Sequence, residues 1–101
     1  MHAVFHALNT TADITDFEFR VLAYYVSGTF EPGMLVRFRP QTRLGRTYVL
    51  HSIELCDLFT ELEHRPTYNL LIQCGTLAET EFLYDLHIER EDFELDSPAD
   101  R

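Results

Sequence analysis

FEFRVLAYYV, residues 17–26, is the stretch whose reading decides the fold. Phe17, Phe19, Val21, Ala23 and Tyr25 fall on one face at a period of two residues. Glu18 and Arg20 fall on the other, which turns apolar at Leu22, Tyr24 and Val26. That alternation, with aromatic and β-branched residues carrying it, predicts a strand rather than a helix. SGTFEPG follows, with Gly28, Pro32 and Gly33 as turn formers. In MLVRF, Met34, Val36 and Phe38 alternate with Leu35, Arg37 and Arg39, and Pro40 stops the strand.

Further along, Arg46–Cys56 reads as another strand. Val49, His51, Ile53 and Leu55 point one way, and Tyr48, Leu50, Ser52 and Glu54 the other. DLFTELEHRP is expected to form a helical turn between Asp57 and Pro66. TYNLLIQC, Thr67–Cys74, is apolar enough for a central strand that Gly75 ends. TLAE from Thr76 has capping-box spacing and predicts a short helical turn. FLYDLHI, Phe82–Ile88, alternates as a strand, and EREDFEL sets Phe93 and Leu95 on one side of a last one. Residues 9–16 are polar and turn-like, separating an N-terminal segment, 1–16, from the body. HAVFHAL within that segment fits a strand slightly better than a helix. Residues 96–101 read as a frayed tail. The expected architecture is one all-β domain over residues 1–101: a small antiparallel barrel of five to six strands, with at most one or two short helical turns.

Composition supports a single packed domain. Of 101 residues, 46% are hydrophobic, and the 13 aromatics (eight Phe, five Tyr) supply enough apolar area for a core without metals or disulfides. No apolar run approaches membrane-spanning length. The opening MHAVFHALNTTADITD has no secretory pattern, so a cytoplasmic location is expected, with Cys56 and Cys74 as free thiols.

Motifs for chemistry are missing. There is no C-x-x-C, no H-E-x-x-H, no Gly-rich phosphate loop and no nucleophile elbow around Ser27, Ser52 or Ser97. His2 and His6 stand four apart without further ligands nearby. A cross-strand set of His51, Cys56, Cys74 and His87 is the remaining metal arrangement. Cys74, beside Gly75, is the better-placed thiol for a small enzyme. The expectation is no catalytic residue, no cofactor and no metal.

Charge is unevenly placed. The net charge is −9, and all eight basic residues are Arg. Four of them, Arg37, Arg39, Arg43 and Arg46, fall in an acid-free stretch between Glu31 and Glu54. From Glu79 to Asp100 the acids run almost unbroken, with Glu89, Glu91, Asp92 and Glu94 as a candidate surface for a basic partner. The Arg ridge is a candidate surface for a protein or RNA; net charge disfavours RNA. Alternatively, the ridge pairs with the chain's own acidic end. Leu22, Tyr24, Val26, Tyr48 and Leu50, if all on outer faces, would favour a homodimer unless the N-terminal segment covers them.

The segments GTFEPGMLVRF, YVLHSIEL, YNLLIQCGTL and HIEREDFEL, in that order, resemble the second-domain β-barrel of translational GTPases such as elongation factor Tu. The matching positions are Gly28, Phe30, Gly33 and Val36; Ser52, Ile53 and Glu54; Leu70 to Gly75; and Ile88, Glu89 and Arg90. The resemblance spans residues 17–95. Glu91 stands where the family has a glycine, His64–Thr67 replaces its A-G-D-N-type turn, and there is no GTPase domain. The resemblance implies a stand-alone barrel of that type, acting as a binding platform for a protein or tRNA rather than as a catalyst. The other functional expectations are an acidic inhibitor or immunity-type protein, and a small metal- or thiol-dependent enzyme.

Overall fold

A computed structural model describes residues 1–38, 48–56 and 66–97. Its strands are β1 (His2–Asp13), β2 (Glu18–Gly28), β3 (Leu35–Phe38), β4 (Tyr48–Leu55), β5 (Thr67–Gln73) and β6 (Asp92–Asp96). One helix, α1 (Leu77–Asp85), lies between β5 and β6. The strands close into an antiparallel barrel in the order β1-β2-β5-β4-β3-β6, with β6 returning to β1. The expected small all-β barrel is therefore what the chain forms.

The interior is filled by rings. Phe5, Phe19, Phe38 and Phe93 are each at most 1% exposed. The Phe5 ring is met edge-on by Tyr25, Phe30 and Tyr68 and stacks on Phe93 at 6.0 Å. Ala3, Ala7 and Ala23, also fully buried, leave the room these rings occupy. The alternation read for residues 19–25 holds: Phe19, Val21 and Ala23 are buried, and Arg20 is exposed. Met34, Val36, Phe38, Phe93 and Leu95 also point inward as expected.

Several expectations are corrected. The polar stretch 9–16 is not a separating turn: Asn9–Asp13 continues β1 against β2, and the turn is confined to 14–17. Pairing supplies the backbone hydrogen bonds that local composition argued against. HAVFHAL is strand, and Phe5 lies in the core rather than over an outer face.

Tyr48 and Leu50 are core residues, while Val49 is 53% exposed. The bulge between Leu50 and Ser52 in the β4–β5 register shifts the phase, so Ile53 packs against the core although Leu50 also does. The outer apolar surface invoked for a homodimer loses two of its five members.

FLYDLHI is not a strand. Phe82–Asp85 belongs to α1, a nine-residue helix longer than the single turn expected. Thr76 caps it, accepting from the Glu79 amide at 3.2 Å, and Thr80 and Leu83 are its buried face. The Thr76 cap and the burial of Thr80 and Leu83 at i, i+3 outweighed the period-two reading. The turn expected at DLFTELEHRP lies outside the described residues except for Pro66. The frayed tail expected over 96–101 does not begin at Asp96, which ends β6, and the Ser97 amide donates to the Met1 carbonyl; residues 98–101 lie outside the described residues.

Cys56 and Cys74 are not neighbours. The Cys56 amide bonds Thr67 at the start of β5, and the Cys74 amide bonds Phe17 at its end. Seven strand residues separate these points, a span of roughly 20 Å.

At the barrel seam, Gly28 sits beside the start of β1 with φ +92°. A Cβ there would fall 2.0 Å from the His2 carbonyl oxygen, so this position requires glycine.

Candidate binding surfaces

The seam brings the charged residues together. β6 lies between β1 and β3, so its outward acids face basic groups on both sides. Asp96 takes the Arg37 guanidinium at 3.0 Å and His2 Nδ1 at 2.6 Å. Glu94 lies 3.3 Å from His2 Nε2. The His6 ring donates to Asp92 at 2.7 Å and stacks on Tyr24 at 4.9 Å. The Thr10 hydroxyl donates to Glu89 at 2.5 Å and holds that carboxyl below its usual range.

Of the two candidate charged surfaces, then, Arg37 pairs with the chain's own acidic end. Glu89, Asp92 and Glu94 each have a partner within the chain, and Glu91 is exposed. Arg39, Arg43 and Arg46 lie outside the described residues.

The proposed metal and thiol sets are dispersed. His51 sits on β4, His87 follows α1, and the two cysteines are at opposite ends of β5. Burial pushes the Cys74 thiol up; a hydrogen bond with Thr80 opposes this, and the Glu79 charge adds to it. A raised thiol is the opposite of what a nucleophile needs. The Tyr48 hydroxyl donates to Glu79 beside it.

Two features were not anticipated. The carboxylates of Asp13, Asp16 and Glu18 converge within 4.8 Å at the β1–β2 turn. Here Asp13 accepts from the Asp16 and Thr15 amides, which hold its carboxyl low and organise the turn.

The second is a cleft of about 390 Å3 between the end of β1 and α1. Thr10, Thr11, Ala12 and Ile14 form one wall, and Glu81, Tyr84 and Asp85 the other. Two further depressions share Thr11 with it and run over Arg20 to Leu71, Ser52 and Glu54. The sequence trace of the cleft is the spacing Glu81, Tyr84 and Asp85, which lies on one helical face once α1 is known to be a helix. Among the described residues, no helix is long and apolar enough to cross a membrane.

A scan of protein-family models, a search of curated proteins and a search of solved structures each find no match.

Proposed function

We propose that this chain is a non-catalytic binding module of the kind represented by the second-domain barrel of translational GTPases, and that it recognises a protein. The observation carrying this reading is the ring-filled interior: with Phe5, Phe19, Phe38 and Phe93 packed together, recognition belongs to the outside of the barrel. A small closed antiparallel barrel is compatible with that resemblance, which supports the reading. The raised Cys74 thiol and the scattered histidines weigh against the enzyme reading. RNA is the weaker ligand class, because the chain carries −9 net charge and Arg37 is already paired. A cytoplasmic location fits two free thiols too far apart to bond each other.

The test has two arms. Titration with tRNA and total RNA at low and moderate salt is expected to show no binding; tight, salt-sensitive binding would replace the protein reading with RNA. Affinity capture with the full chain as bait is expected to return a stoichiometric protein partner. Reversing Glu89, Glu91, Asp92 and Glu94 to Lys in the same experiment separates the acidic-inhibitor reading, which requires capture to be lost.

A further inference from the structure

The cleft between β1 and α1 is bounded by an open strand edge. β1 has β6 as its second neighbour only from His2 to His6. Beyond that the Ala7 amide and carbonyl bond Glu91 and Arg90, and Asn9–Asp13 pairs with β2 alone. The direction of the outer groups follows from the register. The Tyr25 amide and the Phe17 carbonyl bond the β5 side, so the odd-numbered residues of β2 turn that way. Their partners in β1, including Thr10 opposite Val21 and Ala12 opposite Phe19, therefore aim their N–H and C=O away from β2. Asn9 Oδ1 occupies the Thr10 amide. Ala12 N–H and both carbonyls face the cleft with no strand beside them among the described residues.

The opposite wall is charged and apolar. Tyr84 is 45% exposed, and Ile14 across the cleft is 63% exposed. Glu81 and Asp85 stand four apart, a like-charge pair on one helical face. Asp85 also ends the helix, where the backbone carries roughly half a negative charge, and the last turn contains no basic residue. Neither carboxylate has an ion-pair partner among the described residues. A cation placed there would relieve the repulsion, complement the helix terminus and meet the Tyr84 ring.

We propose that this cleft takes an extended segment of a partner protein. The segment adds as a strand to the Thr10–Asp13 edge of β1 and places an Arg or Lys side chain against Glu81, Tyr84 and Asp85. The inference rests on the protein-binding reading and names its surface.

The probe is a blocked pentapeptide, acetyl-Thr-Arg-Val-Arg-Val-amide, titrated into the full chain at low ionic strength with backbone amide NMR. Shifts are expected at Thr11, Ala12, Ile14, Glu81, Tyr84 and Asp85. Glu81→Lys or Asp85→Lys is expected to weaken binding about tenfold, with Glu31→Lys at the far end of the barrel as control. Alternate N-methylation of the peptide backbone, which removes strand donors without touching its charge, is expected to abolish binding. Ala12→Pro removes the edge donor from the protein side; the methylated peptide reads the same contact if that variant fails to fold.

Binding indifferent to N-methylation, shifts spread evenly over the acidic surface, or no binding at all would overturn the site. So would self-association through this edge, seen as sedimentation that Ala12→Pro returns to monomer. Because the peptide reads the site and affinity capture reads the module, the two failures are distinguishable: a partner still captured by Glu81→Lys and Ala12→Pro overturns the cleft and leaves the module standing.

Discussion

The two halves of β1 are one strand with two different environments. His2–Ala7 is held on both sides, by β2 and by β6 and the turn before it, and sends Ala3, Phe5 and Ala7 into the core. Asn9–Asp13 has β2 on one side and the cleft on the other. The change occurs at the irregularity between Ala7 and Asn9, which also shifts the inward phase from odd to even residues, so that Thr10 is buried. The first half closes the barrel; the second leaves it an edge. A closed barrel has no exposed edge, and this one retains a short stretch where the strands adjoining β1 differ in length.

That contrast predicts a gradient of mutational effects. The largest belongs to the closed half. Phe5→Ala empties the point where five rings meet and is expected to destabilise by about 3–5 kcal/mol in urea unfolding. A loss under 1 kcal/mol would mean the seam is not the tightly packed region. Gly28→Ala comes next, at about 1–3 kcal/mol, because its Cβ collides with backbone and its φ is positive. Thermal unfolding of that variant reads the seam without altering any side-chain contact of the core.

At the boundary between the halves, Thr10→Val removes the hydroxyl bonded to Glu89, with an expected cost of about 1 kcal/mol. It also changes the pH dependence. The Glu89 carboxyl is held low when folded, so it binds a proton less readily than in the unfolded chain. The stability it contributes is present above the ordinary carboxylate range and lost as pH falls through the folded value. Thr10→Val should flatten that part of an acid titration of stability; an unchanged profile would place the hydroxyl elsewhere. The smallest effect is expected in the open half, where Ile14→Ser should shift stability by no more than about 0.5 kcal/mol. A large loss there would show that the cleft wall is structural.

The barrel was legible where alternation runs unbroken. Phe19 to Tyr25, Met34 to Phe38 and Phe93 to Leu95 each keep one inward phase from end to end, Leu35 being buried as well on the opposite phase. Legibility failed where a bulge resets the phase. No local property of YVLHSIEL marks the register shift after Leu50, since it is set by how β4 lies on β5. FLYDLHI satisfies both periods over seven residues, and the Thr76 cap upstream decided between them. The charged surfaces were visible as a segregation, but the pairing of Asp96 with both Arg37 and His2 required knowing that β6 sits between β1 and β3. The cleft was least legible of all: its walls are about seventy residues apart along the chain, joined only by closure of the barrel.

The pairing of His2 with Asp96 and of Ser97 with Met1 carries a consequence for the order of events in folding. These contacts have nearly the largest sequence separation the chain permits, and the entropy of closing so long a loop is recovered only once they form. β2, β4 and β5 can associate earlier through shorter loops. The seam should form late, so a chain emerging from the ribosome holds β1 without its second neighbour until residue 96 is free. The kinetics of refolding, and any rescue by a chaperone, will be governed by this last joint rather than by the ring-filled centre.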